Sequence, residues 1–213
     1  MKTDDLIRTL AADPIPEPGV GRYLAIALGL GGLVSLAGFL MALGPRPDFA
    51  EAFAQLYVLL KPVLGLALAC GALGAVLAAA RPGAPTGGWV KALCVAPALA
   101  GVAVLSEALT MPAAQWAPAL LGETGSLLTC LVGIPLLSLP LLAGSLVALR
   151  HGASENPRRT GALAGLLSGG IAVVIYGFYC IEDSPLFYAV WYSVGVVAVT
   201  LLGSALGPRV LRF

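Results

Sequence analysis

Residues 126–149 read SLLTCLVGIPLLSLPLLAGSLVAL, without one charged side chain, and Arg150 closes the run. At about 1.5 Å of rise per residue, a helix of about 20 residues crosses about 30 Å of hydrocarbon. This stretch is therefore long enough to span a bilayer, and the rest of the chain resembles it. Of 213 residues, 59% are hydrophobic and 11% are charged, against about 25% charged in soluble domains. Mean hydropathy is +0.94. That balance excludes a water-soluble enzyme and a disordered regulator. A net charge of +1 excludes a basic domain that holds a polyanion, so no nucleic acid is expected as a direct partner. The chain reads as an integral membrane protein whose first partner is the lipid bilayer.

Outward from that run, five more apolar stretches stand between charged or Gly/Pro-rich breaks. With it they give spans at 23–43, 61–80, 92–110, 126–149, 161–181 and 189–206. The expected fold is an all-α integral membrane protein, a bundle of six transmembrane helices with short loops. Between Asp48 and Lys61, the residues Phe49, Phe53, Leu56, Tyr57 and Leu60 recur at helical spacing with Glu51 and Gln55 opposite. That pattern predicts an amphipathic helix on the membrane surface, joined to the second span at Lys61-Pro62.

Basic residues orient the bundle. Lys2, Arg8, Arg22, Arg81, Lys91, Arg150, Arg158, Arg159, Arg209 and Arg212 are ten of the 12, and all fall on one side of a six-span arrangement. Arg46 lies on the other side, with Lys61 near that surface. The excess of Lys and Arg in cytoplasmic loops places both termini in the cytoplasm. The acidic start, with Asp4 and Asp5 and no early apolar run, predicts no cleavable signal peptide. Three parts follow: a cytoplasmic N-terminal segment (1–22), a transmembrane domain (23–206) and a short cytoplasmic tail (207–213). Gly161, Gly165 and Gly169 share a helix face, and Gly203 and Gly207 repeat the spacing. Such faces let helix backbones approach closely, within one molecule or across a homodimer.

Chemistry-bearing residues are few. Lys61 and Glu107 sit near the outer membrane surface, where each can snorkel or the two can pair. No Ser-His-Asp set, H-E-x-x-H, Walker loop or paired catalytic Asp can be assembled, so no enzyme is expected. Cys70 and Cys94 read as small buried hydrophobes. Cys130 and Cys180 fall at similar depth near the outer ends of antiparallel spans, close in sequence to Glu123, Glu182 and Asp183. A disulfide or a shared soft or heavy metal ion, bound transiently, is open to these two thiols if their helices touch. In the N-terminal segment, Asp4 and Asp5 suit a first helical turn, and Leu6, Ile7 and Leu10 form one apolar stripe. So short a helix has no core of its own. It either frays in solvent or orders in the groove of a partner.

The start Met1-Lys-Thr-Asp-Asp-Leu-Ile, the run from Cys130 through Ile134, Leu137, Ser138 and Pro140, and above all Cys180-Ile-Glu-Asp-Ser-Pro-Leu-Phe carry a family resemblance. Lys61, Arg81-Pro-Gly and the ending Gly207-Pro-Arg-Val-Leu-Arg-Phe also fit. Together they resemble the NrsF (negative regulator of sigma F) family of six-span membrane anti-sigma factors of the bacterial inner membrane. The resemblance implies that the N-terminal segment sequesters an extracytoplasmic-function sigma factor. It also implies release of that factor on a periplasmic metal or oxidative signal sensed near Cys130 and Cys180. Tyr179 departs from the pattern, which often has His before the second Cys. The alternatives are a small six-span transporter or metal exporter, and a membrane thiol oxidoreductase. A transporter calls for a polar path through the midplane, which this sequence lacks.

Overall fold

The computed structural model describes Asp5, residues 19–122 and residues 126–211. Its six membrane-crossing helices are α1 (Val20–Ala42), α3 (Leu56–Ala79), α4 with α5 (Gly87–Leu93 and Val95–Thr110), α7 (Ser126–Leu149), α8 (Pro157–Gly177) and α9 (Pro185–Val210). Each is long and apolar enough to cross a bilayer. Single turns at α2 (Phe49–Ala52) and α6 (Trp116–Leu121) lie in two of the links. The expected all-α, six-span architecture is what the structure shows.

The starts of the second and third spans differ most from expectation, for local reasons. The amphipathic helix expected before Lys61 is only the single turn α2. Gln55 is extended (φ −90°, ψ 136°) and breaks the segment. The Phe49 and Phe53 rings stack at 4.5 Å, and Phe53 stacks on Phe178 at 5.4 Å, which folds the turn back against the bundle. The second span then begins at Leu56 and runs through Pro62. The third begins earlier than expected, at Gly87, and changes helix at Cys94. Pro97 has no N–H to give the Leu93 carbonyl, so the ladder breaks there. Cys94 instead bonds back to the Lys91 carbonyl at 3.0 Å.

Helix α8 is the centre of the bundle, with 72% of its membrane window buried. The glycine spacing read from the sequence is used within the molecule. A methyl group on Gly161, Gly203 or Gly207 would run into the backbone of the facing helix, and one on Gly165 would lie 2.6 Å from the Val199 carbonyl. The opposite side of α8 meets α3 through Gly65 and Gly170, where an added methyl would lie 2.8 Å from backbone atoms. Without hydrophobic drive in lipid, this close backbone contact supplies the van der Waals energy of association.

Helix α1 packs chiefly on α7. Gly31 faces Pro140 and Leu141, and Gly144 faces Ala27. Ser35 Oγ donates to the Leu137 carbonyl at 2.7 Å, in the turn that Pro140 loosens. The Gly44 φ of 73° then turns the chain sharply after α1, its amide on the Phe39 carbonyl at 2.9 Å. This turn delivers Arg46 to the end of the bundle that carries the α8–α9 link. The links 80–86 and 150–156 meet at the opposite end, where Ala153 N–H reaches the Ala80 carbonyl at 3.1 Å.

Candidate functional site: two thiols and a shared ion-pair node

Cys130 lies in the second turn of α7, and Cys180 follows the end of α8 in the link to α9. Both are free and buried. They belong to one cluster with Tyr176 and Tyr192, whose rings meet edge to face at 5.7 Å. The structure thus brings the two sequence-predicted thiols into one core region. Tyr176, Tyr179, Cys180 and Arg46 also line a recess of about 400 Å³, with Ser126 and Thr129 of α7 on its other wall.

The Cys180 peptide is held from two sides. Its carbonyl accepts from Lys61 Nζ at 3.1 Å and from Arg46 Nη1 at 3.3 Å. Both cations also converge on Asp183. Lys61 Nζ reaches Oδ1 at 2.7 Å and Arg46 Nη1 reaches the same oxygen at 2.8 Å. The remaining face of the guanidinium grips Asp48, Nε to Oδ1 at 2.7 Å and Nη2 to Oδ2 at 2.8 Å. Lys61 is fully buried and the Arg46 side chain is 4% exposed, so neither charge is served by water. Two cations and two carboxylates balance the node, which is the condition for keeping charge inside a bundle.

Lys61 therefore does not snorkel, and Glu107 is not its partner. Glu107 Oε2 accepts from Ser184 Oγ and from the Leu186 N–H, both at 2.9 Å. A carboxylate from α5 thus caps the first turn of α9, where negative charge meets the positive end of the helix dipole. Glu182 lies in the same α8–α9 link and is largely shielded. Among the described residues, no group of three or more His, Cys, Asp or Glu converges as a metal cage. Asp5 is exposed, and Asp4, Leu6, Ile7, Leu10 and Glu123 lie outside the described residues. Sequence reasoning missed Arg46. Its signal was its isolation, since the loops at that end of the bundle carry no other base.

The hydrogen bonds Arg46 donates to Asp48, and next those to Asp183, raise its guanidinium further above its usual value despite burial. The same bonds from Arg46 hold the Asp48 carboxyl below its usual range. A carboxyl depressed by folding contributes stability above its unfolded pKa, and that contribution is lost as pH falls through the carboxylate range. Asp48→Asn should therefore unfold at lower temperature than the parent near neutral pH. The difference should narrow as pH falls below the ordinary carboxylate value of about 3.9. Thermal unfolding in detergent across that range checks it, and a gap independent of pH would count against the pair.

A family model described as negative regulator of sigma F, NrsF, matches residues 10–213. A protein of Caulobacter vibrioides named anti-sigma-F factor NrsF is 39% identical over the whole of both chains. One of Azospira oryzae named probable anti-sigma-F factor NrsF is 34% identical, again over the whole of both. No solved structure matches. Matched almost from end to end and similar to full-length members in two organisms, this chain belongs to the NrsF family.

Proposed function

We propose that this chain is a membrane anti-sigma factor for a sigma factor of the extracytoplasmic-function class. The reading is carried by full-length similarity to two relatives that bear the anti-sigma-F name. The basic residues support N-in, C-in insertion in the bacterial inner membrane, which leaves residues 1–22 in the cytoplasm beside the transcription machinery. Asp4 and Asp5 suit the basic surface a sigma factor offers to DNA, and Leu6, Ile7 and Leu10 supply an apolar stripe for its groove.

The signal enters at the other end. Cys130 and Cys180 share one buried cluster next to a recess of about 400 Å³, wide enough to admit a small oxidant or ion. Two thiolates suit a soft or heavy ion bound transiently, and two thiols suit a disulfide. Either would tie α7 to the α8–α9 link. A homodimer would have to use surfaces other than the glycine faces, which are filled within the molecule.

The test is capture of the sigma factor from the same organism by the full chain in detergent. Replacing Leu6, Ile7 and Leu10 together by serine should abolish capture. Cys130→Ser or Cys180→Ser should keep capture and lose release by metal or oxidant. Undiminished capture by the triple variant would remove the stripe from the reading, and full release by both serine variants would remove the thiols. A reporter fused after residue 213 should be active on the cytoplasmic side only.

A further inference from the structure

We propose that Arg46 is the positioning residue that tethers the Cys180 link to the first span, so that movement of the thiol is passed to the N-terminal segment. This rests on the thiol-sensing reading above and names its route. Arg46 gives four hydrogen bonds from the α1–α2 link to the α8–α9 link. Its backbone N–H reaches the Phe178 carbonyl at 3.0 Å, and its guanidinium reaches the Cys180 carbonyl and Asp183.

The two cations at the node play different parts. Lys61 rises from α3, which is locked to the central α8 through Gly65 and Gly170, and so belongs to the fixed frame. Arg46 stands four residues beyond α1, behind the tight turn at Gly44. α1 itself lies on α7 rather than in the central α3–α8–α9 packing. Three anchors on the link, two of them to Asp183 and a backbone carbonyl within reach of one guanidinium, make a grip that moves with the link as a unit.

Pairing the thiols requires Cα atoms about 4.4–6.8 Å apart and a fixed dihedral. A shift of Cys180 toward Cys130 turns its peptide, which Arg46 holds. α1 is one unbroken helix of 23 residues leading from that grip to Gly19, at the edge of the N-terminal segment. It is about 35 Å long at helical rise. Pivoting on Ser35 and Gly31, it carries the displacement across the bilayer as a rod. Coupling then needs no new contact, only a tether and a lever that both ends bias.

The experiment uses the full chain in detergent, in a Cys70→Ala, Cys94→Ala background, loaded with the sigma factor it captures from its own organism. Diamide is the oxidant. It takes both thiol hydrogens and becomes the hydrazine form as the sulfurs of Cys130 and Cys180 join. In the parent, cross-link and loss of sigma factor should rise together. Arg46→Gln should form the same cross-link while releasing on the order of tenfold less sigma factor, in the usual range of coupling between sites. Arg46→Lys keeps a cation against Asp183, and with it the fold, while giving up the multiple grip. It should also cross-link fully and release less. Release equal to the parent in both variants overturns the tether. So does loss of sigma factor from either variant before diamide is added, because Arg46 would then be a latch. A parent that cross-links yet keeps its sigma factor overturns the thiol reading and the tether with it.

Discussion

Asp183→Asn is expected to destabilise the bundle by about 2–3 kcal/mol, while Lys61→Met costs less than about 1 kcal/mol, although Lys61 is the more buried. Among the described residues, Asp183 is the only carboxylate in an ion pair with Lys61, and it takes Arg46 as well. Neutralising it strands a cation that has no exposure at all. Removing one partner of a buried pair leaves an uncompensated charge, and that penalty exceeds the worth of the pair itself. The value stays below the top of the usual range because the Asp183 side chain is 29% exposed and partly served by water. Lys61→Met removes the buried charge together with its desolvation cost and keeps much of the stem's volume. Asp183 and the Cys180 carbonyl still have Arg46. The double variant should regain much of what Asp183→Asn loses, a coupling that a double-mutant cycle of unfolding in detergent reads directly. Additive losses would mean that the two groups are not energetically paired.

The second large effect belongs to the α8–α9 crossing. Gly203→Leu should leave no folded protein to purify, and Gly203→Ala should cost at least the 1–3 kcal/mol typical of overpacking, at about its upper end. The atoms in the way are the Gly161 carbonyl and the Gly165 amide, which are backbone and cannot rotate aside. Leu201, two residues earlier on the same helix and 64% exposed, is the control. Leu201→Ala faces lipid and should change the unfolding temperature little. Equal tolerance at both positions would show that the helices do not cross here.

The six spans were legible because hydrocarbon imposes a length and loops impose a charge bias, and both are properties of short stretches. Ser126 to Leu149 needed no correction at either end. The glycine spacing on α8 and α9 was equally plain. What sequence could not supply was partnership across distance. Lys61 and Asp183 are 122 residues apart, and Glu107 and Leu186 are 79 apart. Nothing local tells a lysine near a membrane surface to turn inward. The turn at Gly44 and the aromatic stack of Phe49, Phe53 and Phe178 decide that, by closing the end of the bundle over it. Gly65 and Gly170 escaped notice for a related reason, since each gains meaning only opposite the other.

The seclusion of α8 has a consequence for how the protein is made. It has the lowest mean hydropathy of the six spans, 1.6, and starts with Pro157, Arg158 and Arg159. Its buried residues include five glycines, Thr160 and Ser168 beside Leu163 and Leu167. Such a segment gains little by leaving the translocon for lipid alone. Its residence in the membrane is secured by neighbours, α3 already inserted ahead of it and α9 arriving behind. Insertion of α8 should therefore depend on its neighbours more than that of the other five spans does.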